Sequence, residues 1–346
     1  MEKAISSSLE KPSNGLLIND WFLAQALEPG SNSKTTIDHT YASATNGGDP
    51  WLVEISSCCR TGVELNNPLA YYRVSTLVEL ASGNRSPVSS LPPIVNLPQA
   101  VAATFPVPAA DANTNTTITW RLATSAEAAA LGTFTQPTGL TIDGSTGLVT
   151  WNTLANATLG GLYSCQVIIE DHDSTTGAFK TQVAVDFLIF IIPQSTACNG
   201  NLPPYFVNPL NLTGVPVCGT VYTINEGQHL SFTMTATDPD AGNVVTLNSG
   251  GGPSGSTFTP NLPTTGNPVS STFDWTPGPA TAGAYIITFT ATDSCGAQAI
   301  CSATINVLPN ACHLAIGCLP TQPTCYNSCD GSITVNITGG SGQYGY

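Results

Sequence analysis

The sequence predicts an all-β chain of tandem β-sandwich modules, and three observations carry that expectation. The 346 residues include 32 Gly, 26 Pro, 46 Thr and 30 Ser, while only 9% are charged, against about 25% in an ordinary soluble domain. Such a chain is rich in turns and β-branched positions and poor in the Lys, Glu and Arg that cover surface helices. Next, a block of strand-like sequence recurs after roughly 120–130 residues, the size of one sandwich. Finally, short β-branched runs alternate with turn residues along most of the length. A hydrophobic content of 41%, with 5 Trp, 11 Phe and 10 Tyr, fills several small cores and argues against disorder.

The repeat can be read residue by residue. Gly161-Leu-Tyr163 through Asp171 aligns without gaps with Gly283-Ala-Tyr285 through Asp293. Each copy follows a short strand closed by tryptophan, Leu148–Trp151 and Thr272–Trp275, and each strand follows a Thr-Gly turn. Within the copies, Val167-Ile-Ile and Val183–Ile192 flank the turn Ser174–Gly177. Leu230–Thr237 and Val244–Leu247 flank Asp238-Pro-Asp240-Ala-Gly242, and Ile286–Thr292 faces Ile300–Val307. Helix is expected only at Asp20–Leu27 and Ser125–Leu131.

At these residues a family resemblance becomes specific. Pro137 through Trp151 resembles the dystroglycan-type cadherin-like, Ig-like module, and Ile224 through Asp293 resembles a second copy. Ala291-Thr-Asp-Ser-Cys-Gly296 with Cys301 is similar to the ending of a hyalin repeat. Asp38-His39-Thr40-Tyr41 is similar to a motif of polycystic-kidney-disease-type Ig modules. Cys329 through Tyr344 resembles the start of a gliding-adhesin (SprB-type) repeat. Proline-rich joints then divide the chain. Residues 1–90 are expected to form an N-terminal tail plus a divergent Ig/PKD-like β module, 91–194 and 195–309 two Ig-like modules, and 310–346 a partial Cys-rich adhesin-type repeat. Short linkers with proline predict a semi-rigid string.

Charge and cysteine bound the function. The net charge is −14, all eight bases lie at or before Lys180, and residues 181–346 carry seven acids without Lys or Arg. Phosphate contacts need bases, so a nucleic-acid role is excluded. Eleven Cys, eight of them from Cys198 onward and none in a C-x-x-C pair, point to an oxidising extracellular or cell-surface setting rather than zinc. Adjacent Cys58 and Cys59 are not expected to bond each other. Met1-Glu2-Lys3 and the serines after it lack the apolar core of a secretory leader. The longest apolar run, Phe187–Ile192, has six residues, far short of the ~20 that span a bilayer, so no membrane insertion is expected in this segment.

The candidate sites follow. The module resemblance implies calcium as cofactor, with Glu226, Asp238, Asp240 and Asp293 as ligands; hard cations suit clustered carboxylates without bases, whereas Asp238-Pro-Asp also reads as a plain polar turn. In the first repeat Ala109 aligns with Asp238, which predicts no site there. Gly250–Gly255 matches G-x-G-x-x-G but has no helix to follow it. The hydrolase elbow G-x-S-x-G is absent and the four His are isolated, so the chain is not expected to be an enzyme. Sequons at Asn84, Asn115, Asn156, Asn211 and Asn336 are glycosylation candidates, at about the number that chance predicts. Leu16, Ile18, Trp21 and Phe22 of the N-terminal tail, with Phe187 and Phe190 of a strand apolar on both faces, are candidates for self-association; the tail would otherwise complete its own module. The expected function is a non-catalytic structural subunit of an extracellular filament or surface assembly, whose partners are copies of itself and glycans. The alternative is a fragment of a calcium-dependent adhesin.

Overall fold

The computed structural model of the chain describes residues 15–17, 43, 49–113, 115–192, 198, 200–207, 218–240, 242–309, 315–321 and 332–338; at 15–17, 315–321 and 332–338 it describes the backbone alone. The expected helix at Asp20–Leu27 and the motif at Asp38–Tyr41 lie outside the described residues.

The first sandwich begins with the strands β1 (Gly15–Leu17), β2 (Trp51–Ser57), β3 (Tyr72–Val78), β4 (Ile94–Leu97) and β5 (Ala103–Pro106). It continues through β6 (Thr116–Leu122), β7 (Thr141–Ile142), β8 (Leu148–Trp151), β9 (Leu162–Asp173) and β10 (Phe179–Ile191). One sheet runs β1-β2-β3-β10-β9-β6, with β4 also paired to β10, and the facing sheet runs β5-β8-β7. Between them lie Phe105, Val149, Trp151, Val167, Ile169, Phe187 and Ile189, all buried. Turn chemistry sets the long hairpin β9–β10. Gly177 takes φ +71° and donates its N–H to Asp173 O, as expected of a Thr-Thr-Gly turn.

The second sandwich is β11 (Tyr205–Phe206), β12 (Thr220–Asn225), β13 (Leu230–Thr237), β14 (Val245–Gly250), β15 (Thr257–Thr259), β16 (Thr264–Gly266), β17 (Val269–Trp275), β18 (Gly283–Thr292) and β19 (Gln298–Leu308). Its sheets run β11-β13-β17-β15 and β12-β19-β18-β14-β16. Alternation along β13 buries Leu230, Phe232, Met234 and Ala236. The disulfides Cys198–Cys295 and Cys218–Cys301 tie the incoming chain to the end and to the body of this sandwich. A hairpin of β20 (Ala315–Thr321) and β21 (Ser332–Thr338) follows.

The repeat holds in three dimensions. Trp151 donates its indole N–H to Thr138 O at 2.9 Å and meets Tyr163 edge-on at 5.1 Å. Trp275 donates to Ser254 O at 3.1 Å and meets Tyr285 edge-on at 5.0 Å. Both pairs anchor equivalent strands to equivalent loops.

Four expectations change. Among the described residues, 49–90 do not build a sandwich of their own: β2 and β3 extend the sheet of the next module, because β3 pairs with β10 at Thr76–Val183. The loop between them is anchored by Arg60, whose guanidinium donates to Asp186 at 2.9 Å and sits 4.7 Å over the Phe134 ring. Cys58 and Cys59 are bonded to each other. The helix at Ser125 is a single turn, α1 (Ser125–Ala128), with a Thr124–Glu127 capping box. A second turn, α2 (Thr153–Asn156), is capped by Asn152 and was not expected.

The modules also lie beside each other rather than in file. Arg85 donates to Ala282 O at 2.6 Å, Ser90 and Thr288 share a hydroxyl bond of 2.7 Å, and Asn96 N–H donates to the Gln298 side chain at 3.2 Å. The segment from Arg85 to Asn96 thus runs along β18 and β19. Gly251, at φ +81°, permits the approach, because a Cβ there would stand 2.4 Å from the Ser90 Cβ.

Replacing Arg60 by Met leaves Asp186 without its cation, and chemical denaturation should show a loss of about 3 kcal/mol. The double variant R60M/D186L should recover part of that loss, because no uncompensated charge remains.

Candidate functional site

The buried aspartates gather at one end of each sandwich, where the incoming linker meets two turns. In the second module Asp238 and Asp240 lie in the turn after β13, and Asp293 follows β18. Asp238 Oδ1 accepts the N–H of Asp240 at 2.8 Å and the Asn243 side-chain amide at 3.3 Å. Asp240 Oδ2 accepts the N–H of Leu202 in the linker at 2.7 Å. Asp293 Oδ1 accepts the N–H groups of Cys295 and Ala297, both at 2.8 Å, and its Oδ2 accepts the side-chain amide of Asn201 at 2.7 Å. Asn243 donates to Asn201 Oδ1 at 2.8 Å and closes the network. Asp238 and Asp293 are buried, and Asp238 Oδ2 is enclosed without a hydrogen-bond partner.

Glu226 does not join them. It sits at the opposite end of β18, where its Oε1 accepts the N–H groups of Thr281 and Ala282 at 2.9 and 3.0 Å. The ten residues of β18 put roughly 30 Å between the two ends. The expected four-residue set is therefore not brought together: Glu226 lies apart, while Asp238, Asp240 and Asp293 share one end of the module with Asn201 and Asn243. Three carboxylates in a module without Lys or Arg, one with an enclosed unpartnered oxygen, have the chemistry that a hard cation takes. As they stand N–H donors hold them, and among the described residues no three of His, Cys, Asp and Glu lie close enough to hold a metal ion.

The first module repeats the arrangement, which the sequence alignment missed by two positions: Asp111, not Ala109, stands where Asp238 does. Both lie in the turn between equivalent strands, and each gives one oxygen to the N–H two residues on, that of Asn113 at 2.6 Å here. Asp111 Oδ2 is again enclosed without a partner. Asp171 matches Asp293. It is fully buried and accepts from the Asn84 side chain at 2.7 Å, the Thr181 N–H at 2.7 Å and the Thr181 hydroxyl. Asn84 in this linker plays the part of Asn201 in the next. The sequence signal was available: each asparagine stands two or three residues ahead of a linker proline, Pro87 and Pro203. The electrostatics differ, because Arg85 and Lys180 lie close enough to act on Asp111, which does not suit a cation site. Burial pushes the Asp111 carboxyl up to about 6, helped by the charge of Asp171 and opposed by the Asn113 N–H, Lys180 and Arg85.

The other candidates are placed as follows. Asn84 is buried and its amide is bonded to Asp171, so it is corrected from a glycosylation candidate to a structural residue. Asn115 and Asn156 are exposed. Asn211 lies outside the described residues, and Asn336 is in β21, described by backbone alone. Phe187 is buried at 2% exposure with its ring edge-on to Phe105, which removes it from any self-association surface. Phe190 is half-buried on the other face of β10. That outer face is covered in part by the second module, since Gly296 packs against Ile192. Leu16 lies in β1, which pairs in parallel with β2 of the same chain. Ile18, Trp21 and Phe22 lie outside the described residues.

With this geometry in view, similarity to known proteins is informative. Residues 88–203 match a family model described as integrin beta-like protein A-E, second Ig-like domain, and residues 213–307 match one described as bacterial Ig domain. Integrin beta-like protein E of Dictyostelium discoideum is 28% identical over 316 residues, which is 80% of this chain and 15% of that protein. Integrin beta-like protein A is 34% identical over 191 residues, 52% of this chain and 9% of the relative. The chain thus spans 15% or less of the length of these curated relatives. Among solved structures, Drosophila N-cadherin EC1-3 shares 15% identity at a TM-score of 0.26, covering 86% of this chain and 99% of that one. The chain is an array of tandem Ig-like modules.

Proposed function

We propose that the chain is a non-catalytic stretch of an extracellular or cell-surface adhesion protein, and that it packs with further copies of itself into an ordered assembly. The observation that carries this reading is the side-by-side seating of the two modules. At the otherwise open edge of β4 the Asn96 N–H donates to the Gln298 side-chain oxygen of the second module, and Cys198–Cys295 clamps the linker at the junction. A fixed pair of sandwiches is a building block for repetitive contacts, whereas swivelling beads are not. The names of the relatives, integrin beta-like proteins, support an adhesion setting.

Low surface charge fits a surface covered by neighbours or by glycans. In a glycosylating host, peptide mass spectrometry should find glycan on Asn115 or Asn156 and none on Asn84. Occupancy at Asn84 would contradict its burial against Asp171.

A second reading is favoured by the enclosed, unpartnered oxygen of Asp238. A calcium ion would have to draw Asp238, Asp240 and Asp293 together from the positions in which N–H donors hold them, with Asn201 or Asn243 turned to present its carbonyl, and would then brace the linker and make adhesion calcium-dependent. Calorimetric titration with calcium should give about one ion per chain and no heat for Asp238→Asn; absence of heat in the parent chain defeats this reading. Negative-stain microscopy separates the two. Ordered filaments that survive EDTA support the assembly, and monomers whose melting temperature falls with EDTA support the calcium-dependent adhesin.

A further inference from the structure

The segment from Asn84 to Val88 crosses the head of the first module and is held on both sides. The Asn84 side chain donates to Asp171 Oδ2, Arg85 N–H donates to Asn113 Oδ1 at 2.9 Å, and Val88 exchanges both backbone bonds with Ala110. Beneath it lie two carboxylates. Asp171 is fully buried with three donors, while Asp111 has one oxygen on the Asn113 N–H and the other enclosed without a partner. Among the described residues the charged groups acting on Asp111 include Asp171 from β9, Lys180 from β10, and Arg85 from the crossing segment itself. Lys180 is drawn to a third acid, standing 3.8 Å from Asp173, and donates to Asn115 O at 2.9 Å, so it neutralises Asp111 incompletely. On its far side the segment reaches the second module, where Arg85 Nη1 donates to Ala282 O beside the corner organised by Glu226.

We propose that Asn84–Val88 is a proton-linked strap: the carboxyl pair Asp111–Asp171 beneath it takes up a proton as the medium acidifies, and the protonated head holds the strap, and through Arg85 the second module, more firmly. A proton on the unpartnered Asp111 oxygen removes a buried charge and its repulsion of Asp171. The direction follows from linkage. The Asp111 carboxyl titrates near 6 when folded against an ordinary value of 3.8. The stabilisation is therefore complete below about pH 4 and is lost as pH rises through about 6.

Hydrogen exchange on the full chain, corrected for intrinsic rates, tests this at pH 5 and pH 7.5. Strap amides at 85 and 88 should open roughly tenfold more often at pH 7.5, while amides 295–297 at the head of the second module should not change. Asp111→Asn should give the low-opening value at both pH values. Equal opening of the parent strap at both pH values, an equal response at 295–297, or the same slope in D111N would each overturn the proposal. Should D111N fail to fold, carbon-13 titration of the parent Asp111 carboxyl decides the matter. A midpoint near 6 supports the strap, and one near 4 rejects it.

Discussion

A strand has only two edges, and the arrangement of this chain depends on how β10 shares them. Its thirteen residues give one edge wholly to β9 and divide the other between β3 at Val183 and β4 at Leu188–Ile191. The first contact draws the β2–β3 hairpin into the sheet of the first sandwich, and the Arg60–Asp186 pair locks the loop between its two strands. The second leaves β4 at the rim, where the second sandwich comes to rest against it. One strand thereby determines both the size of the first module and the seat of the next. Such sharing also explains why Phe187–Ile192 can be apolar on both faces without being an open edge.

The two module heads show how one geometry serves different electrostatic conditions. Both bring a linker asparagine to a buried aspartate and leave a second aspartate with an enclosed, unpartnered oxygen. An orphaned buried acceptor is costly, and the surroundings decide what relieves it. In the first head Arg85 and Lys180 supply partial neutralisation, and a proton can supply the rest. The second module contains no Lys or Arg, so the three aspartates at its head depend on N–H donors, which the backbone and two asparagines provide. The same turn chemistry therefore stands beside Arg85 and Lys180 in one module and without any Lys or Arg in the other.

Side-by-side packing changes what the linkers do. The Pro-bearing segment 85–96, which would act as a spacer in an extended string, instead runs along the neighbouring sandwich, tied at Ala282, Thr288 and Gln298. Such a segment is part of the interface. Its conformational freedom is already lost, which lowers the entropic cost of joining a larger assembly.

The amino-acid sequence by itself determined the local and repetitive features: the all-β class, the paired tryptophans, the Gly177 turn and the absence of Lys and Arg from the second half. These depend on composition, on period and on residues close in the chain, so no distant contact is needed to see them. Only the tertiary structure decided that 49–90 belongs to the first sandwich, that Glu226 lies a strand's length from the aspartates, and that Asp111 rather than Ala109 repeats Asp238. It also turned Asn84 from a sequon into a buried ligand of Asp171, and Phe187 from a surface candidate into core. Each of these depends on pairing between residues tens to hundreds of positions apart. Strand pairing across such distances is set by which edge remains open once the sheets have formed, and no local pattern records that.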